Sequence, residues 1–189
     1  TYPTSAAQLG VVGTSTTDNS QITVQGLDAD YNELTNIVTL NGTTTVTTSG
    51  SYLRAYRAFV SDDNEPAGDV TITHSGTNIA IISADEGQTL MATYTVPAGY
   101  TAYLYQLVFG GAAELANKYM TIRLRAREHG GIFRTQAKYT TAAQTFEETM
   151  VFPLVFPEKT DIEITAQSSS QTQQASAMFD LLLIKNVSV

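Results

Sequence analysis

Residues Ala92–Phe109 read ATYTVPAGYTAYLYQLVF, two arms rich in aromatic and β-branched residues on either side of Pro97-Ala98-Gly99. Proline fixes φ at the first turn position and glycine accepts the positive φ that ends it, so the stretch predicts two strands joined by a tight turn. The second arm is apolar on both faces, with Tyr100, Ala102, Leu104 and Val108 on one and Tyr103, Tyr105, Leu107 and Phe109 on the other. Neither is an obvious solvent face, and such a strand calls for cover on both sides.

Working outward, the rest of the chain is written in the same style. Asn41-Gly42 lies between Asn36–Leu40 and Thr43–Thr48, the preferred dipeptide of a type I′ hairpin. Ser51–Val60, Asp69–His74 and Asn78–Ser83 follow as strands, the last two around Ser75-Gly76. Lys118–Glu128 alternates with period two: Met120, Ile122, Leu124 and Ala126 inward, Thr121, Arg123, Arg125 and Arg127 outward. Ile132–Thr140, Thr145–Phe152 and Asp161–Gln167 are further strands, and Ala177–Ile184 is a strand apolar on both faces except for Asp180. Gly110–Asn117 reads as a loop or one helical turn. About ten or more short strands with Gly, Pro and Asn-Gly turns and no helical crossovers imply an all-β fold, an antiparallel jelly-roll-like β-sandwich.

Thr1–Gln25 is rich in Thr, Ser, Gly and Ala and reads as an extended N-terminal arm or linker, leaving residues 26–189 as the jelly-roll-like domain. Thr1 stands where a Met is ordinarily found, so the natural start was processed or lies outside this sequence. At 189 residues the chain can bury a core without staples, and it has no cysteine to make any. No run approaches the ~18 apolar residues of a membrane span, and no signal peptide is evident.

The net charge of −8 is unevenly spread. Residues 1–94 hold ten acids against Arg54 and Arg57, while the remainder holds eight of each sign. An acidic first half lacks the Lys and Arg that phosphate contacts require, so nucleic acid is not expected as a partner.

No catalytic constellation stands out in the sequence. His74 and His129 are far apart in sequence with no metal or triad spacing, and Thr1 has no strand behind it to position a base. Asp28-Ala29-Asp30-Tyr31-Asn32 opens like a calcium loop, but Glu33 and Thr39 stand where glycine and a bidentate glutamate belong. Asp62-Asp63-Asn64-Glu65 reads as a solvated loop. Glu147 and Glu148 are adjacent on a strand and point apart, whereas Asp161 and Glu163 share a face in the manner of a glycosidase pair but sit on a regular charged strand. No catalytic residue, metal or cofactor is assigned, and a non-enzymatic protein is expected. Arg123, Arg125 and Arg127 form the most functional-looking row, either paired in-sheet with Asp161 and Glu163 or docking to an acidic partner. The two-sided apolar strands give a candidate oligomer interface of Tyr103, Tyr105, Leu107, Phe109, Phe179, Leu181 and Leu183, unless the protein's own loops cover them.

Gly26–Val60 (GLDADYNELTNIVTLNGTTTVTTSGSYLRAYRAFV) resembles segments of β-rich virion proteins of tailed bacteriophages. AGDVTIT at Ala67–Thr73, TYTVPAGYTAYL and FPEKTDIEITAQSSS at Phe156–Ser170 look similar too. The resemblance carries no catalytic residues. It implies a virion component, a trimeric jelly-roll protein on the capsid surface that cements or decorates the shell and contacts the major capsid protein or another virion protein. The alternative is a tail or head-fibre receptor-binding module, and a glycan-cleaving enzyme stands third.

Overall fold

The computed structural model describes residues 2–112, 118–142, 144–169 and 174–187. Thr1 and most of the loop or helical turn expected within Gly110–Asn117 lie outside the described residues. All regular structure among the described residues is strand, and no helix there is long and apolar enough to cross a membrane.

The chain divides into two compact units, Thr1–Met91 and Ala92–Val189, instead of an arm followed by one domain. The first contains β1 (Ala7–Gly13), β2 (Gln21–Leu27), β3 (Glu33–Thr39), β4 (Val46–Tyr52), β5 (Arg54–Val60), β6 (Val70–His74) and β7 (Thr77–Ile82). They form two antiparallel sheets, ordered β4-β1-β6-β7 and β3-β2-β5. The expected arm is therefore two interior strands, one at the heart of each sheet. Leu9 and Val11 from β1 and Ile22 and Val24 from β2 join Tyr52, Val70, Ile72 and Ile82 in the core. Few apolar residues suffice there because alternation places Leu9, Val11, Ile22 and Val24 inward. Arg54 fastens the residues before β1, its guanidinium donating to the Pro3 carbonyl at 2.7 Å and lying over the Tyr2 ring.

Asn41-Gly42 does not close a hairpin. β3 pairs with β2 and β4 with β1, on opposite sheets, and beside the turn only an isolated bridge joins Asn41 to Thr44. A type I′ turn needs positive φ at both central residues, and of this pair only Gly42 has it, at 57°. Gly42 instead docks, donating from its N–H to the Asp18 carbonyl at 2.8 Å and accepting from Gly13 at 3.2 Å. The true type I′ pair is Ser75-Gly76, with φ of 49° and 80°, between the paired strands β6 and β7.

The second unit contains β8 (Thr93–Thr95), β9 (Tyr100–Ala112), β10 (Met120–Arg127), β11 (Arg134–Thr141), β12 (Thr145–Phe156), β13 (Asp161–Ser168) and β14 (Gln174–Lys185). Its sheets are ordered β11-β10-β13-β8 and β12-β9-β14, all pairs antiparallel. The pairing is nested: β8 with β13, β9 with β12, β10 with β11. The turn at Pro97-Ala98-Gly99 forms as expected, Gly99 at φ 77° and Tyr100 N–H donating to the Pro97 carbonyl at 3.3 Å. It is a corner between sheets, because β8 and β9 pair with different partners. Met120, Ile122, Leu124 and Ala126 are buried as the alternation required, against Leu104, Leu107, Phe109 and Ile162. Each unit is thus an antiparallel β-sandwich with its own core.

One irregularity decides which side of β9 faces the core. Leu104 pairs with Leu181 and Gln106 with Asp180, so Tyr105 is an extra residue on β9. An inserted residue flips the alternation after it. Ala102 and Leu104 point inward before the bulge, Leu107 and Phe109 after it, and the single pair of faces expected from sequence breaks at Tyr105.

Candidate functional site

The arginine row stands where alternation placed it and is engaged within its own sheet. β10 and β13 run in register with Arg125 opposite Glu163 and Arg127 opposite Asp161. Arg125 meets Glu163 at 3.2 Å, and Arg127 sends both Nε and Nη2 to Asp161 Oδ2. Asp161 is 2% exposed and also accepts from Thr95 Oγ1 at 2.7 Å. Arg123 donates to Gln167 Oε1 at 3.2 Å, while the Phe133 ring lies 5.0 and 4.7 Å from the guanidinium carbons of Arg125 and Arg127. Of the two readings of this row, the in-sheet pairing is the arrangement found.

The carboxylates with apparent catalytic spacing are also occupied. Asp161 and Glu163 are the partners of those arginines. Glu147 and Glu148 point apart: Glu147 accepts from Gln106 Nε2 at 2.7 Å on the outer side, and Glu148 accepts from the Tyr139 hydroxyl. Burial first, then the hydrogen bond and charge of Glu148, push the Tyr139 hydroxyl up to about 12. Asp28 closes its own loop. Burial raises its pKa, but hydrogen bonds from Asn32 N–H, the Asn32 side-chain amide and Asp30 N–H outweigh this and leave it below the usual carboxylate value. His74 is buried at the end of β6 with Nε2 3.1 Å from the Tyr52 carbonyl, and His129 lies on an exposed turn.

His129 belongs to a cleft of about 280 Å³ in the second unit, where Glu128, Arg134 and Gln136 face Phe156 and Thr160. The Thr160 hydroxyl is buried without a hydrogen-bond partner. Sequence gave no signal for this cleft, because its walls come from β10, β11, β12 and the turns between strands.

The candidate oligomer interface divides. Leu107 and Phe109 are 0% and 1% exposed and closed to a partner, while Phe179, Leu181 and Leu183 are partly buried against the same core. Tyr103 is half-buried and Tyr105 exposed. The opposite face of the β12-β9-β14 sheet carries what sequence missed. Tyr103 stands between Val155 and Leu182, with Ile184 and Met178 farther along β14. Leu182 is 55% exposed, and Phe152, carried by the irregular stretch of β12 between Thr149 and Leu154, is 86% exposed. Both parities of β14 are apolar, which is why alternation could not choose between Leu181/Leu183 and Leu182/Ile184. No family model, curated protein or solved structure matches the chain.

Proposed function

We propose that this chain is a non-enzymatic structural protein of a tailed-bacteriophage virion, a decoration or cement protein that binds the outside of the capsid and associates with copies of itself as a homotrimer. The observation that carries the reading is the outer face of β12-β9-β14, a sheet surface with several exposed large apolar side chains on a unit whose Arg125 and Arg127 are paired within their own sheet. Such surfaces mark association sites. The nested strand pairs of the second unit suit a rolled hairpin of the jelly-roll kind. With Ala7–Gly13 and Gln21–Leu27 built into strands and the arginine row paired, contact with the major capsid protein falls in this reading to the acidic first unit. Quantitative mass spectrometry of purified particles tests it. A copy number near that of the major capsid protein supports a shell component, and absence from the particle overturns the virion reading.

A second reading, a tail or head-fibre receptor-binding module, is favoured by the cleft around His129 and Arg134, whose polar lining suits a small polar ligand. A few copies per particle, with glycan binding lost in Arg134→Ala, would select it.

A further inference from the structure

We infer that the outer face of β12-β9-β14 is covered by the same unit of a second copy of this chain. The inference rests on the self-association proposed above and names the surface that performs it.

The size of the exposed apolar surface is the first argument. Tyr105, Phe152, Val155, Met178, Leu182 and Ile184 are between 41% and 86% exposed. At about 100 Å² each, with the half-buried Tyr103 and Val108 beside them, they present roughly 600–700 Å², since large side chains expose on the order of 150–250 Å² when free. Summed over a face that the polar row of Thr149, Gln106 and Asp180 crosses, that approaches the ~800 Å² that each partner contributes to a standard interface.

The composition of the patch is the second. Tyr and Met are enriched at interface cores, and here Tyr103 stands between Val155 and Leu182 and Val108 beside Met178, with the polar row of Thr149, Gln106 and Asp180 crossing the face between these two apolar rows.

Charge selects the partner. The second unit holds eight acids and eight bases and is formally neutral, whereas the first carries the whole net charge of −8. Near-zero charge favours association of like copies, and repulsion between like units opposes it. The neutral unit is therefore the one suited to meet its own copy. The acids on this face are Asp180 and Glu147, and Glu147 is engaged by Gln106 Nε2 within the sheet.

Sedimentation velocity and light scattering on the full chain from 1 to 100 µM test the inference. The expected mass is a two- or threefold multiple of 20.4 kDa, falling to 20.4 kDa in Leu182→Asp with an unchanged far-ultraviolet circular dichroism spectrum. Because the chain has no cysteine, Leu182→Cys and Val155→Cys each introduce a single thiol, which keeps the test open if Leu182→Asp misfolds. Oxidation is expected to cross-link copies of these variants and not of Thr77→Cys, an exposed position on the first unit. A wild-type chain of 20.4 kDa at 100 µM, or cross-linking equal at Thr77→Cys, overturns the inference and leaves the patch to a different protein. Neither result touches the copy number per particle, so this surface and the virion reading fail separately.

Discussion

Asp161 and Arg127 face each other across the β13–β10 pair, and the carboxylate is almost completely buried while the guanidinium reaches solvent. Thr95 on β8 donates to the other carboxylate oxygen, so a single acid ties three strands of one sheet. Removing the arginine leaves a buried charge without its counter-ion. Arg127→Ala is expected to destabilise the second unit by about 3 kcal/mol, read as a shift of the urea midpoint at unchanged slope. Asp161→Asn, which keeps the Thr95 bond, is expected to cost less.

Gly26 admits no side chain. A Cβ there would lie 1.9 Å from the Arg54 carbonyl oxygen and 2.8 Å from the Tyr52 ring, where β2 and β5 meet at a register shift. The obstruction is backbone and a packed aromatic, neither of which yields cheaply. Gly26→Ala is expected to cost roughly 3 kcal/mol in the first unit, checked by chemical denaturation.

Each core is closed within its own stretch of sequence, so Thr1–Met91 and Ala92–Val189 are expected to fold as separate chains. Dispersed amide spectra of each fragment, overlaying their counterparts in the full chain, check this. A fragment that is unfolded alone contradicts it.

Alkali should act through buried tyrosines. Tyr52 is fully buried with its hydroxyl donating to the Val24 carbonyl, and burial pushes it up to about 12, as it does Tyr139. A phenol whose folded pKa exceeds its unfolded value of about 10 binds more protons folded than unfolded between the two. The stability it contributes is complete below pH 10 and is lost as the pH rises toward 12. Ultraviolet titration of tyrosinate is expected to show late groups among the ten tyrosines, Tyr56 joining them because burial raises it too, and Tyr139→Phe to remove one of them.

Legibility followed the sharpness of the alternation. Met120–Arg127 has one apolar and one charged parity, and its inward face and its ion-pair partners on Asp161–Gln167 were both readable from that. β9 and β14 are apolar on both parities, so the interface was assigned to the partly buried, core-packed residues Leu181 and Leu183 instead of their exposed neighbours Leu182 and Ile184. The Tyr105 bulge compounds this, because a one-residue insertion is fixed by pairing with strands far along the chain and leaves no local mark. At Asn41-Gly42 the local turn preference was overridden by the docking of Gly42 onto Gly13 and Asp18. Leu9/Val11 and Ile22/Val24 were readable as half-buried strands, but the surrounding Thr, Ser and Gly lowered the average enough to suggest an arm.

The nesting of strands in the second unit has a temporal consequence during synthesis. β8 pairs with β13 across 66 residues between Thr95 and Asp161, and Gln106 on β9 meets Asp180 on β14 only near the end of the unit. Contacts so distant in sequence form late, after the long intervening segment has been ordered. The outer apolar face is therefore assembled last, once β14 has docked on β9. A nascent or half-folded chain does not carry the finished surface, which delays its meeting with other copies until its own fold is complete.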